Sequence, residues 1–231
     1  MTVIPGGQVV TLEGLTIGVL GGTGPQGKGL GLRFAIAGHS VVLGSRSLER
    51  AKEAAEEVKA MRPDLTLDVR GATNEDAASC GPVVVLAVPY DGHRDTVTSL
   101  ASALEGRIVV DCVNPMAFDK AGAMPVEVRE GSAAEQTAAL VPGARVVSAF
   151  HDVSARRLFG TNSSVNTDIL VCGDDVEAKT LVVGLATQTP GMRGIDAGPL
   201  RLSRELEALT TVLLAINKRY KTHAGVRITG V

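Results

Sequence analysis

The sequence of 231 residues contains no tryptophan and only six aromatic side chains, four Phe and two Tyr. Proteins that bind single-stranded nucleic acid stack the bases on aromatic side chains. The formal net charge of −2 also provides no basic surface for a phosphate backbone. We therefore expect no nucleic-acid partner.

Long apolar runs and a basic N-terminal region are also missing. The longest apolar run, Val83–Val88, is too short to cross a bilayer, and no Lys or Arg precedes Lys28, as a signal peptide requires. Cys80, Cys112 and Cys172 form no CxxC pair, which is typical of reduced, buried thiols. The four histidines lack metal-ligand spacing. We expect a cytoplasmic protein with no membrane segment and no metal site.

Short apolar segments alternate with segments of helical periodicity. Leu15–Leu20 and Ser40–Leu43 predict strands that flank a helix over residues 26–37. Val83–Val88 is apolar at every position, which predicts a parallel strand covered on both faces. This alternation is typical of an α/β, doubly wound (Rossmann-type) fold with a mainly parallel sheet and a smaller, mostly helical C-terminal part.

Other segments complete the predicted organisation. Residues 1–13 are predicted to be a loose leader, residues 65–70 a third strand, and residues 117–131 a loop. We expect an N-terminal domain over residues 14–150 and a smaller C-terminal domain over residues 151–231. The last predicted helix carries an apolar stripe typical of a core or of a subunit interface: Leu202, Leu206, Leu209, Leu213 and Ile216.

A glycine-rich turn joins the first predicted strand to the first predicted helix. The motif Gly22-x-Gly24-x-x-Gly27 permits a tight turn, close approach of a pyrophosphate, and packing of the helix on the strand. The helix dipole and the first free N–H groups then favour an anion. We expect a dinucleotide to bind at the residues of this turn: Gly22, Thr23, Gly24, Pro25, Gln26 and Gly27.

The residues after the second predicted strand indicate which dinucleotide binds. NAD-specific sites place a carboxylate at this position for the ribose 2′-hydroxyl. Here the strand is followed by Ser45 and Arg46, with Arg50 one helical turn later. Guanidinium groups bind a phosphate with paired hydrogen bonds. The pattern favours NADP(H) over NAD.

Several ordered blocks resemble the deazaflavin-dependent NADP oxidoreductases, the coenzyme F420:NADP oxidoreductase family. The resemblance extends over more than 200 residues and rests on six blocks: 21–30, 44–46, 147–151, 171–175, 196–200 and 203–204. It implies hydride transfer between NADPH and the deazaflavin ring of coenzyme F420 in a homodimer.

The resemblance also implies roles for individual residues. Thr23, Ser45, Arg46 and Arg50 would hold the 2′-phosphate, and the nicotinamide would rest on the loop at Val88 and Pro89. The deazaflavin pocket would be lined by residues of the C-terminal part: His151, Val153, Arg204 and Thr210. Ala208 stands where some members of the family have Ser.

Two other functions also fit the glycine turn. The first is an NADPH-dependent reductase of a small carbonyl or imine, which requires a proton donor near the acceptor. Tyr90, Asp152 and Asp196 are the candidates for that donor, and none stands in a convincing motif. The second is a non-catalytic NADPH-binding sensor.

Overall fold

The N-terminal segment forms a short antiparallel ladder in the computed structural model, which describes residues 2–3, 9–10, 12, 14–160 and 164–231. Thr2–Val3 pairs with Val9–Val10. The prediction of a loose leader was therefore wrong for these four residues. Residues 1, 4–8, 11 and 13 of the predicted leader lie outside the described residues.

The central sheet has eight strands: β1 (Thr16–Leu20), β2 (Ser40–Ser45), β3 (Val69–Thr73), β4 (Val83–Leu86), β5 (Ile108–Asp111), β6 (Arg145–Ser148), β7 (Thr167–Gly173) and β8 (Met192–Gly198). Their order in the sheet is β8-β7-β6-β5-β4-β1-β2-β3. Strands β1 to β6 are parallel to one another, and β7 runs antiparallel to β6 but parallel to β8. This arrangement confirms the predicted doubly wound, mainly parallel fold.

Helices cover both faces of the sheet, as the right-handed crossovers of this fold require. Short 3-10 turns at Tyr90–Gly92 and Leu200–Leu202 precede two of them. The helices are α1 (Pro25–Ile36), α2 (Leu48–Ala60), α3 (Asn74–Ser79), α4 (His93–Ser99), α5 (Ala101–Leu104), α6 (Ala133–Leu140), α7 (Ala155–Phe159), α8 (Val176–Thr187) and α9 (Ser203–Tyr220).

Two apolar clusters form the core, one on each face of the sheet. All four residues of β4 are fully buried, with alternate side chains in the two clusters, as its uniformly apolar sequence predicts. Strands β7 and β8 come from residues 151–231 and extend the sheet of the N-terminal part. The division into two domains at residue 150 stays a prediction.

The third strand begins four residues later than predicted, at Val69–Thr73 rather than 65–70. Val69 pairs with Val41 of β2 and fixes the register, and Leu65 is left exposed. Gly71 lies so close to α2 that a Cβ would stand 2.2 Å from the carbonyl carbon of Ala51. The strand therefore includes a glycine that propensity alone disfavours.

A small hairpin forms where the sequence predicts only a loop. Met116–Phe118 pairs antiparallel with Ala123–Pro125. Asp119 closes the turn by accepting hydrogen bonds from the N–H groups of Ala121 and Gly122, at 2.7 and 3.0 Å. This hairpin packs on α9 and forms one wall of a pocket described below.

Candidate functional site

The turn after β1 requires a glycine where it approaches the end of β4. Gly21 has φ +73°, and a Cβ there would lie 2.6 Å from the carbonyl oxygen of Ala87. Only glycine fits this turn, so the residue that permits it is Gly21, one position before the glycine assigned from the sequence. The same contact brings the turn against the end of β4.

Helix α1 begins without a side-chain cap. Its N-cap is Gly24, Pro25 occupies the first helical position, and the first turn holds no acidic residue. The first N–H groups of a helix have no partner within it, and the helix dipole favours an anion there. A phosphate therefore fits this end of α1 without displacing a capping group.

Gly22 and Gly27 serve packing rather than the surface of the site. A Cβ at Gly27 would lie 2.7 Å from the carbonyl oxygen of Gly21, and one at Gly22 would lie 2.8 Å from Leu43 Cβ. These contacts hold α1 and β2 close to the turn. Neither residue lines the cleft that the turn borders.

A cleft of about 1010 Å³ runs along the carboxyl ends of β1, β2 and β4. We call it the NADP cleft. It brings together nine of the residues predicted to bind NADP(H): Thr23, Gly24, Pro25, Gln26, Ser45, Arg46, Arg50, Val88 and Pro89. Ligands of open α/β sheets bind at this edge, where the strand order reverses.

One end of the NADP cleft carries two exposed guanidinium groups. In the part of the chain that the structure describes, neither Arg46 nor Arg50 forms an ion pair. Ser47 caps α2 by accepting a hydrogen bond from the N–H of Arg50, and Ser45 accepts one from the N–H of Ser47. The chain direction at this end is thereby fixed, while both cations stay available for a phosphate.

The other end of the cleft is formed by the residues that follow β4. Ala87 donates its N–H to the carbonyl of Leu20 at 2.9 Å, so the loop is tied to the glycine turn. Val88 and Pro89 line the cleft wall, and a 3-10 turn then leads into α4. Val88 and Pro89 therefore make this end of the cleft apolar.

Asn74 is a cleft residue that the sequence interpretation missed. It lines the cleft at the start of α3, and its Oδ1 is buried with no hydrogen-bond partner among the described residues. The sequence signal at this position is that of a helix start, and Thr73 does cap α3. Because the pattern indicates only a helix start, it does not predict that the Asn74 side chain lines the cleft.

His151 and Thr210 lie together but outside the NADP cleft. His151 follows β6, is buried, and its Nε2 is joined to Ser148 Oγ by a hydrogen bond of 2.9 Å. Thr210 Oγ1 lies 3.1 Å from the main-chain oxygen of His151 and 3.0 Å from Asp152 Oδ1. Burial lowers the pKa of His151 to about 4, so the ring is neutral at physiological pH.

Arg204 lies in a second cavity, of about 410 Å³, beside α9. We call it the α9 pocket, lined by Pro115, Pro125, Val126, Glu127, Val128, Gly131, Arg204, Glu207 and Ala208. Val153 instead lines a smaller cavity of about 160 Å³ with Asp152. The structure thus brings His151 close to Thr210, and places Arg204 and Val153 in two separate cavities.

The carboxyl ends of neighbouring strands bring these features to one edge of the sheet. Strands β1, β4, β5 and β6 are adjacent in that order, and their ends lead into the glycine turn, the Pro89 loop, Asn114 and His151. With about 4.8 Å between strands, this row spans about 14 Å. The edge is long enough for two cofactors to meet.

A buried polar cluster behind the cleft was also missed from the sequence. His93 Nε2 lies 2.9 Å from Asp111 Oδ2, and His93 Nδ1 lies 3.0 Å from Gln136 Oε1. Thr137 donates to Asp111 at 2.7 Å. Burial, the largest single influence, lowers the pKa of His93, but the charge and hydrogen bond of Asp111 together with the hydrogen bond of Gln136 and the charge of Glu207 make the net direction upward. These partners lie up to 44 positions apart in the sequence, so no local sequence pattern predicts the cluster.

The proton donors considered for a carbonyl or imine reductase do not line the NADP cleft. Tyr90 stacks on His93 behind the loop, with ring centroids 6.3 Å apart. Asp196 is exposed and paired with Lys179 at 2.9 Å, while Asp152 is buried beside Thr210. The described residues contain no group of three or more His, Cys, Asp or Glu able to hold a metal ion.

Comparison with known proteins gives consistent results. The family model described as NADP oxidoreductase, coenzyme F420-dependent, matches residues 16–115. The F420-dependent NADP reductase of Methanocaldococcus jannaschii is 40% identical over 94% of this chain and 99% of its own length. That of Methanothermobacter thermautotrophicus is 37% identical over 94% of this chain and 96% of its own length.

A solved structure agrees with these relatives. It is a protein from Arthrobacter sp. FB24 described as an F420-dependent NADP reductase. It superposes with a TM-score of 0.79 at 27% identity, covering 94% of this chain and all of the other. The chain belongs to the family of coenzyme F420-dependent NADP oxidoreductases.

Proposed function

We propose that this chain transfers a hydride reversibly between NADP(H) and the deazaflavin coenzyme F420. The observation that carries the proposal is the NADP cleft, which joins a helix N-terminus without a side-chain cap, two exposed guanidinium groups and an apolar wall. The two relatives named F420-dependent NADP reductase also match this chain over nearly their whole length.

The residues of the cleft fit NADP(H) part by part. The α1 N-terminus would hold the pyrophosphate, and Thr23, Ser45, Arg46 and Arg50 would hold the 2′-phosphate. Val88 and Pro89 would support the nicotinamide ring. When bound, NADPH supplies the hydride and the deazaflavin ring accepts it; the chain holds the two rings face to face and excludes water.

The deazaflavin side is formed by the end of β6 and by α9. His151 Nδ1 is buried without a hydrogen-bond partner among the described residues, and a carbonyl or ring nitrogen of the ligand would satisfy it. Thr210 holds the main chain of His151, and Val153, two residues further along the chain, is buried. Arg204 lines the α9 pocket and forms no ion pair with any described residue, so it would bind the phosphate or carboxylates of coenzyme F420.

The functional unit in this proposal is a homodimer. Apolar side chains stand exposed on α9 and on the hairpin that packs against it, including Phe118, Met124 and Val212. Phe118 is 72% exposed and Val212 is 53% exposed. A second copy of the chain would cover such a surface.

The proposed compartment is the cytoplasm. Cys80, Cys112 and Cys172 are all free thiols, and free thiols persist in a reducing compartment. Separately, no helix among the described residues has the length and hydropathy needed to cross a membrane.

A direct assay separates this function from the other two. Purified protein is mixed at catalytic concentration with NADPH and oxidised coenzyme F420, and the visible absorbance of the deazaflavin is followed. Bleaching supports the proposal. Oxidation of NADPH only with small carbonyls or imines would support the reductase, and NADPH binding without turnover would support the sensor.

A further inference from the structure

The apolar wall of the NADP cleft at Val88 and Pro89 is tied to the rest of the protein at both ends. Before the wall, Ala87 donates its N–H to the last residue of β1 at 2.9 Å. After the wall, a 3-10 turn at Tyr90–Gly92 leads directly to His93, the first residue of α4. Because only this turn separates the wall from His93, the position of His93 limits where the wall can lie.

His93 belongs to the buried side of α4 rather than to the cleft. Its side chain is fully buried, whereas Asp95, Thr96 and Ser99 of the same helix line the cleft. The ring of Tyr90 stacks on the ring of His93, with centroids 6.3 Å apart and planes 26° apart. The turn that follows the wall therefore packs directly on the buried imidazole ring.

The partners of His93 require a proton on its Nδ1. This nitrogen lies 3.0 Å from Gln136 Oε1, and Gln136 Nε2 donates to Glu130 Oε2 at 3.0 Å. Glu130 forms an ion pair with Arg94, so its carboxylate only accepts hydrogen bonds. The amide of Gln136 must therefore turn its NH₂ group to Glu130 and its oxygen to His93, and the ring donates from Nδ1.

A second proton lies between His93 Nε2 and Asp111. Nε2 is 2.9 Å from Asp111 Oδ2, and Thr137 donates to the same oxygen at 2.7 Å. The other oxygen accepts a hydrogen bond from the N–H of Val113 at 3.0 Å. A carboxyl group is a much stronger acid than an imidazolium, so this proton stays on the ring. Rotation of the ring would leave buried donors unsatisfied, so His93 is held in one orientation.

We propose that His93 is a positioning residue for hydride transfer, an inference that rests on the proposed function. Its ring anchors the Tyr90–Gly92 turn and thereby fixes the wall at Val88 and Pro89 that would support the nicotinamide. The anchor point is Asp111 at the end of β5, the strand between β4 on the nicotinamide side and β6 on the deazaflavin side. Hydride transfer needs two rings at a narrow range of distance and orientation, so a wall that shifts lowers the rate.

The first test compares two ligands, one with the nicotinamide and one without it. NADPH and 2′-phospho-ADP-ribose, which is NADP without its nicotinamide, are titrated by isothermal titration calorimetry. His93→Gln should weaken NADPH binding by roughly 10-fold and leave the Kd for 2′-phospho-ADP-ribose unchanged. A purely structural role would not separate the two ligands. Loss of both affinities, or of neither, would overturn the proposal.

His39→Gln is the matched control. His39 is also buried, and its Nε2 lies 2.8 Å from the side-chain oxygen of Gln188. It does not line the NADP cleft. This variant loses a buried histidine with a glutamine partner, as His93→Gln does, and it should keep the wild-type Kd for both ligands.

Two further measurements cover the case in which His93→Gln does not fold. NMR of nitrogen-15-labelled wild type should show both ring nitrogens of His93 protonated at neutral pH, and a ring with one proton would overturn the proposal. Gln136→Met removes the acceptor for His93 Nδ1 and should weaken NADPH binding, again without changing the Kd for 2′-phospho-ADP-ribose. Wild-type affinity for NADPH in Gln136→Met would also contradict the anchor.

Turnover separates this inference from the proposed function. For the reduction of F420 at saturating NADPH, His93→Gln should lower kcat by roughly 100-fold. A wild type that binds NADPH but does not bleach F420 would refute the proposed function, and the comparison of the two ligands would still decide whether His93 holds the wall. A wild type that bleaches F420, with His93→Gln keeping the same kcat, would refute only the role of His93.

Discussion

Gln26 Nε2, in the first turn of α1, donates a hydrogen bond of 3.0 Å to the main-chain carbonyl of Phe150. Phe150 is a buried non-glycine residue with φ +65°, a backbone conformation that persists only when its surroundings hold it. It directly precedes His151. This bond therefore connects the NADP cleft to the strand end assigned to the deazaflavin.

Replacement of Gln26 tests this connection. Gln26→Ala removes the donor and should lower the free energy of unfolding by about 1 kcal/mol, measured by urea denaturation at fixed protein concentration. Lys52→Ala, at an exposed position on α2, should change it by less than about 0.5 kcal/mol. Equal stabilities for Gln26→Ala and the wild type would show that the bond does not support the Phe150 turn.

The arginine pair should determine the choice of NADP(H) over NAD(H). Arg46→Ala and Arg50→Ala each remove a charge-assisted contact to the 2′-phosphate, and each should weaken NADPH binding by roughly 10- to 100-fold. Affinity for NADH should stay the same. Isothermal titration calorimetry measures both, with Arg70→Ala, an exposed arginine outside the cleft, as the control. A parallel loss of NADH affinity would contradict the assignment.

The buried ring of His151 should make the fold sensitive to mild acid. Its pKa is about 4 in the folded chain and near 6.5 when unfolded, so between these values the unfolded state binds more protons. Stability therefore falls as the pH falls from 6.5 to 4, by up to about 3 kcal/mol from this group. His151→Gln should lose that part of the dependence.

The comparison of His151→Gln with the wild type isolates this effect, because other groups also titrate there. Asp152, for example, has its pKa raised by burial to about 6. Urea denaturation of both proteins at several pH values gives the difference. Parallel stability curves over pH 4–6.5 would show that the ring is not buried in its neutral form.

The exposed apolar side chains of α9 and of the hairpin beside it should mediate dimerisation. Val212→Glu places a charge at the exposed apolar position of α9 and should convert a dimer into a monomer, as measured by sedimentation equilibrium. Lys218→Glu changes the charge of the same helix at an exposed position near its end and should leave the dimer intact. A monomeric wild type would contradict the proposed dimer.

The NADP cleft was predictable from the sequence because its signals are local. The glycine turn, the apolar strand before it and Ser45-Arg46 each lie within a few residues of a strand end. Parallel strands bring those ends to one edge, so the grouping of Thr23 with Arg46 and Pro89 follows from the fold class. Positive φ at Gly21 rather than Gly22 required coordinates.

The α9 pocket could not be predicted, because its residues come from distant segments. Glu207 meets the N–H groups of Ala133 and Ala134 across more than 70 positions. The pairing of His93 with Asp111 likewise depends on how α4 packs beside β5. The shifted third strand has the same origin, since its register follows contacts with β2 and α2 rather than its own propensity.

The most direct test of the account follows the transferred hydrogen itself. NADPH carrying deuterium at the transferring position of its nicotinamide C4 is incubated with oxidised coenzyme F420 and the protein in ordinary water. Mass spectrometry of the reduced F420 should show one carbon-bound deuterium per molecule, since the two rings are held face to face. Reduced F420 that carries only hydrogen from water, or no reduced F420 at all, would contradict direct hydride transfer at this site.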